Sequence, residues 1–327
     1  MSRPTLFGQT ETEKGLLPMH AYNTGTVLDL MTGDVQKGHD GKWYISGGMP
    51  NHINGIFGIP NCYKTTIFDS LVSRVMAIYG TDGTIVDSEG SRPTTPERLL
   101  SCCGDLQDKL EPERISFKAG SINTLGELLD TTKQACKIKD ENRKEFTIET
   151  PFLDPSGNRT RAWIPTFLYL DSFTEIFSTG ESELLEAEGM DGKKIKTVFM
   201  LDGAQKTIFL REIRKLAERY GVILACTAQV GGNVNMDGGM TPPPKKTQYM
   251  KQSDRLKNVG PKFYYLTYNL FQSTNPKVLQ DSNNKALYSH GQHTPDQDIN
   301  EVLIKIIRAK ANSSGHSIPL VVSQSTG

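Results

Sequence analysis

Short, continuous apolar runs alternate with amphipathic stretches along most of this chain, and that alternation restricts the fold more than any other feature. The runs INGIFG (53–58), GTIVD (83–87), RISFK (114–118), FLYLD (167–171), GVILACT (221–227), FYYLTYNLF (263–271), EVLIKII (301–307) and IPLVV (318–322) read as buried strands. A strand without a polar face has to be covered on both sides, as in a largely parallel sheet with helices on each face. Residues 67–78 place Ile67, Phe68, Leu71, Val72, Val75 and Ile78 on one helical face, with Asp69, Ser70, Ser73 and Arg74 opposite. Residues 206–220 repeat the pattern with Phe209, Ile213, Leu216, Ala217 and Tyr220. The later strands follow one another without clear helices between them, so the sheet is expected to finish antiparallel.

At 327 residues the chain has room for one large α/β domain with insertions, or two average ones. Lysine plus arginine and aspartate plus glutamate balance at 37 each, so any polyanion-binding surface must be local. The five cysteines form no CxxC pair, which suits free thiols in a reducing compartment. No run of about 18 apolar residues suggests a membrane span, and MSRPTLFGQTETEK lacks a signal-peptide apolar core. A cytoplasmic protein with no membrane partner is expected.

The junction between the first apolar run and the 67–78 helix carries the chemistry. Gly58, Ile59, Pro60, Asn61, Cys62, Tyr63, Lys64 and Thr65 match G-x-x-x-x-G-K-[ST] except at Tyr63. Strand, loop and helix succeed one another as such a loop requires, so backbone amides and the helix N-terminus can cradle phosphate oxygens. Lys64 would offer a point charge to the outer phosphates, and the Thr65 hydroxyl a ligand to magnesium. A side chain at position 63 is costly if that backbone needs positive φ, or if phosphate must pass over it. A tyrosine turned away and packed under the loop leaves the cradle open. Two further strand ends are acidic: IVDSEG places Glu89, and FLYLDS places Asp171, where sites in such sheets lie. One carboxylate can hold the metal shell and the other can orient an attacking water.

In that order these motifs resemble the RecA-type recombinases, in a divergent form similar to the phage UvsX branch. NTGTVLDL (23–30) is similar to the family segment before the loop, and VDSEGSRPTTPERLL to the eukaryotic and archaeal version of the next motif. The resemblance extends over roughly 23–327. It implies an α/β, RecA-like P-loop ATPase core over 46–327, preceded by an N-terminal arm and lead-in segment over 1–45. ATP and Mg2+ become the expected ligands, with Thr66 completing the loop contacts and Asp171 on the magnesium side. Glu89 polarises the hydrolytic water, and Arg98 stacks on the adenine. REIRKLAERYGVILACTAQV ends in the family's sensor glutamine, Gln229, which links the γ-phosphate to the DNA-binding loop that follows. LIKIIRAKANSSGHSIPLVVS places Arg308 and Lys310 where the family supplies cations to a neighbouring subunit's nucleotide. An aromatic residue before the loop lysine also occurs in the phage branch.

The resemblance further implies two DNA-facing loops, at 176–203 and 230–262. The first carries Lys193, Lys194 and Lys196. The second carries Lys245, Lys246, Lys251, Arg255, Lys257 and Lys262 against Asp237 and Asp254, a local excess of four positive charges. Phe263 joins them as an apolar surface for bases, which suits a single strand. Residues 138–165 read as a charged segment and a hairpin turning at Asp-Pro-Ser-Gly-Asn, an insertion without a family counterpart. The function implied is a DNA-dependent ATPase that binds single-stranded DNA and drives homologous pairing as a helical filament. A ring-forming helicase of the DnaB class, and a nucleotide-gated binding or loading protein with little turnover, stand as alternatives.

Overall fold

A computed structural model describes residues 15–90, 96–118, 124–178, 195–231, 255–256, 262–274, 276–285, 289–290, 294–295, 299–312 and 314–323. The lead-in comprises β1 (Ala21–Tyr22), α1 (Val27–Thr32), the hairpin β2 (Val35–Lys37) and β3 (Trp43–Ile45), and β4 (Met49–Pro50), which pairs with β1. Thr26 starts α1 by accepting from Leu28 N, the usual service of a hydroxyl at a helix N-terminus. Tyr22 is fully buried in the same cluster as Ile56 and Phe68 and donates to Trp163 O at 2.6 Å. Tyr22 thus ties the lead-in to the core, while Val35 and Trp43 of the hairpin are exposed; residues 1–14 of the expected arm lie outside the described residues.

Strands β5 (Ile53–Gly58), β6 (Asp82–Asp87) and β7 (Ile115–Phe117) precede the hairpin β8 (Thr147–Leu153) and β9 (Arg159–Trp163). After these come β10 (Thr166–Asp171), β11 (Val222–Gly231), β12 (Arg255–Leu256), β13 (Asn269–Ser273), β14 (Lys277–Val278), the pair β15 (Ser289–His290) and β16 (Thr294–Pro295), β17 (Ile299–Ala309) and β18 (Ser317–Ser323). The helices between them are α2 (Lys64–Tyr79), α3 (Glu97–Cys102), α4 (Leu125–Glu141), α5 (Ile195–Tyr220) and α6 (Lys262–Leu266). One sheet has the order β14-β17-β13-β5-β11-β10-β6-β7, with β12 added to β11 and β18 to β17. From β13 to β7 every pairing is parallel; β14, β17 and β18 join antiparallel.

The continuous apolar runs follow from this position. Along β10, Phe167 and Tyr169 enter one core while Leu168 and Leu170 enter the other. β11 divides likewise, Ile223 and Ala225 against Val222, Leu224 and Cys226. The two-residue period of a strand thus feeds two apolar layers. The first is covered by α2, and the second by α4, α5 and α6. α4 begins with a reciprocal capping box between Thr124 and Glu127. Residues 138–141, expected in the insertion, finish this helix; the hairpin turns on Asp154 Oδ1, which accepts from Ser156 N and Asn158 N at 2.9 Å each. Its flanks meet the lead-in through Leu17 N to Arg161 O and His39 N to Pro151 O, both 2.8 Å.

Two expectations need correction. The run 263–271 is not one strand: Lys262–Leu266 is helical, and Thr267 Oγ1 closes that turn by donating to Phe263 O at 2.6 Å before β13 begins. Asp69 and Ser73, assigned to a polar outer face of α2, are fully buried because α3 and the turn after it cover that face. All five cysteines are free, and no helix among the described residues is long and apolar enough to cross a membrane.

Candidate functional site

The carboxyl ends of the parallel strands converge at one edge of the sheet. Gln229 lies in register with Gly58, and Asp171 with Asp87. After β5 the chain crosses over β11 and β10 to reach β6, while β13 lies on the other side of β5. Such a reversal in strand order opens a crevice at the strand ends.

Gly58 ends β5 where no side chain fits: a Cβ would lie 2.6 Å from both Cys62 Sγ and Ser273 O. Asn61 and Tyr63 take left-handed backbone angles, with φ of 60° and 59°. Position 63 thus has the conformation that favours glycine, and a tyrosine there costs about 1–3 kcal/mol. Its ring packs against the core beneath the loop, and its hydroxyl accepts from Asn300 Nδ2 at 2.7 Å. The tyrosine is accordingly turned toward β17. Cys62 Sγ donates to Ile59 O at 2.9 Å, and Ser273 Oγ donates to Cys62 O. Lys64 opens α2 and reaches back across the loop to donate to Ile59 O at 2.8 Å. Pro60 and Asn61 are exposed, and Tyr63 gives α2 no side-chain cap.

Beside the loop, Thr65 Oγ1 donates to Asp171 Oδ1 at 3.2 Å, and Thr227 Oγ1 donates to the same oxygen at 2.6 Å. Asp171 is buried. A hydroxyl and a carboxylate at a phosphate-type loop form a hard oxygen set. It fits Mg2+, which takes one or two protein oxygens and completes its shell with water and phosphate.

Glu89 follows β6 in a turn in which Asp87 Oδ1 accepts from Glu89 N and Gly90 N, each at 3.0 Å. Gln229 Nε2 donates to Glu89 Oε1 at 2.8 Å. Partial desolvation raises the Glu89 pKa above the ordinary carboxylate range. The Asp171 and Glu175 charges add to the rise, while the Gln229 bond and Lys64 oppose it. A carboxyl adjusted upward, with an amide steering it, suits proton acceptance from water.

Arg98 is anchored to α2: Nε donates to the fully buried Asp69 Oδ2 at 2.7 Å, and Nη2 to Thr66 Oγ1 at 2.8 Å. This fixes the guanidinium beside the first turn of the loop helix. Arg308 and Lys310 are not brought to the loop of their own chain. β17 runs antiparallel to β13, so its start touches the loop and its end lies at the opposite edge of the sheet. Arg308 donates to Tyr264 O at 3.0 Å, and Lys310 lies 5.6 Å over the Tyr268 ring.

Among the residues expected to meet DNA, Lys193, Lys194, Lys245, Lys246, Lys251 and Lys257 lie outside the described residues. Lys196 falls within α5, which begins at Ile195, so the first loop cannot extend to 203 as expected. Arg255 falls within β12, paired with Gly231. Lys262 is exposed at the start of α6. Phe263 is a correction. It is fully buried and stacked on Phe173 at 5.7 Å with planes 22° apart, so it supports the sheet rather than a base.

No protein-family model matches the chain, and no curated protein matches it. Among solved structures the chain is similar to a crystal structure of the RadB recombinase, with 15% identity over 86% of this chain and 91% of that one and a TM-score of 0.43. So loose a likeness carries no argument about the site, which stands on the distances above.

Sequence reading missed Thr227, Ser273, Asn300 and Glu175. Thr227 had a usable signal: it precedes Gln229 by two residues on one strand, so both point the same way. Ser273 and Asn300 had none, because the loop meets them through sheet order.

Proposed function

We propose that this chain is a DNA-dependent ATPase of the RecA recombinase type, which binds single-stranded DNA and promotes homologous pairing and strand exchange. One observation carries the reading: the Glu89–Gln229 and Thr65–Asp171 pairs meet at the sheet edge beside Lys64. The amides from Cys62 to Thr65 receive the phosphates of ATP, and Lys64 leaves Ile59 O to meet the outer ones. Thr65 and Asp171 hold Mg2+, which when bound neutralises charge on the phosphoryl oxygens. Glu89 takes the proton of the attacking water, and Gln229 orients Glu89 through their hydrogen bond. Gln229 stands two residues before the end of β11, so a change in its partner is passed toward the second proposed DNA loop, 230–262.

Arg308 and Lys310 serve a neighbouring copy. The rise of β17 sets Arg308 about 26 Å from the Asn300 that touches its own loop, out of reach of its own nucleotide. The proposed assembly is a homo-oligomer, a filament in preference to a ring, working in the cytoplasm (the host's, for a phage protein). Tyr63 supports placing the chain near the UvsX branch.

The test is ATP hydrolysis with and without single-stranded DNA, with imaging of the assemblies formed. Stimulated hydrolysis, filaments and joint molecules are expected. Closed rings that unwind duplex would replace this reading with the helicase, and binding without turnover would replace it with the gated loader.

A further inference from the structure

We propose that Tyr63 and Asn300 form a tether that fixes the left-handed turn before Lys64 and thereby sets nucleotide affinity. The proposal rests on the nucleotide-binding reading and adds a positioning pair to it.

A glycine adopts the turn freely, but with equal ease leaves it. A tyrosine needs something outside the turn to hold it there, and two contacts do so. The half-buried ring packs against the core, and the phenol oxygen accepts from Asn300 Nδ2. Asn300 makes a firm post. It is buried, and its backbone lies in β17 opposite both Val278 of β14 and Val322 of β18. The residue before the tyrosine is held independently, by Ser273 at the end of β13. Both anchors lie on the same side of β5, in β13 and β17, whereas Thr65, Asp171, Glu89 and Gln229 lie toward β11, β10 and β6. The loop is thus braced from the side away from the reacting groups, and the brace governs how the amides around Lys64 converge.

The role assigned is in binding, so the loss should fall on nucleotide Kd and KM and not on kcat. The experiment measures Mg·ATP affinity, steady-state hydrolysis and thermal midpoint for the full chain and for Tyr63→Phe, Asn300→Ala and the double variant. Tyr63→Phe removes a single oxygen and keeps the half-buried ring, so folding should be preserved; Asn300→Ser provides a second, milder variant at the post. Each single change is expected to weaken binding about 3–10-fold, as for one lost hydrogen bond, with kcat changed less than about twofold. The double variant should bind no more weakly than the worse single, and Asn300→Ala should have no effect in a Tyr63→Gly background. Wild-type affinity in both single variants overturns the tether, as do fully additive losses or losses matched by an equal fall in kcat. Failure of the unmodified chain to bind Mg·ATP overturns the nucleotide reading and the tether with it.

Discussion

Thr65 Oγ1 donates to Asp171 Oδ1 at 3.2 Å, joining the first turn of α2 to the end of β10 across 106 residues of sequence. Thr227 donates to the same oxygen from β11. Three elements therefore agree on the position of one carboxylate, the preorganisation that the proposed magnesium role of Asp171 requires.

Asp171→Asn keeps an oxygen for both hydroxyl donors and removes the charge. The folding midpoint should move little, while the magnesium-dependent part of nucleotide affinity falls about 10–100-fold, the range for damage around a metal site. Nucleotide titrations with and without Mg2+ check this. Equal affinities for variant and wild type in Mg2+ would remove Asp171 from the metal.

Glu89→Gln should slow hydrolysis by about 10²–10⁴ with nucleotide still bound. Because desolvation raises the Glu89 pKa, the acid limb of the pH–rate profile should have its midpoint above the ordinary glutamate range. The base is the ionised form, so activity grows as pH rises through that midpoint. Gln229→Ala deletes the bond that opposes the rise, and should move the limb to still higher pH as well as lowering the rate.

Phe263→Ala should destabilise the fold by about 3–5 kcal/mol, seen in urea or thermal unfolding. A residue facing DNA would instead lose affinity for single strands with its stability unchanged.

Lys139 tests the linkage between burial and pH away from the site. It lies in the last turn of α4, buried, donating to Ile164 O at 2.7 Å and Thr166 Oγ1 at 3.0 Å. Burial pulls its pKa from 10.5 to about 7. Between those values the unfolded chain holds a proton that the folded chain does not, so stability rises with pH across the window. Below it both states are protonated and the contribution to the slope disappears. Wild type should gain up to about 1.4 kcal/mol per pH unit there relative to Lys139→Met, measured as unfolding free energy from pH 7 to 10.

Much of this was legible in the sequence because it is local. The apolar runs of β10 and β11 announce a sheet covered on both faces, and Gly58 to Thr65 announce a strand, a turn and a helix start. The positions of Asp171 at the end of β10 and of Glu89 just after β6 were legible because strand ends can be read from a run of apolar residues followed by an acid. What escaped depends on neighbours far along the chain. Asp69 reads as solvated until α3 is packed over it with Arg98. Phe263 reads as an aromatic residue in a basic stretch until Phe173 is seen beneath it. The cost of Tyr63 is conditional in the sequence, since its φ is set by the folded loop, and the Asn300 that holds its hydroxyl lies 237 residues away.

The most direct measurement is calorimetric titration of Mg·ATP into the unmodified chain and into Lys64→Ala. Saturable one-site binding that Lys64→Ala abolishes is the predicted result. Equal binding by both proteins, or none by either, would contradict a phosphate cradle around Lys64 and everything inferred from it.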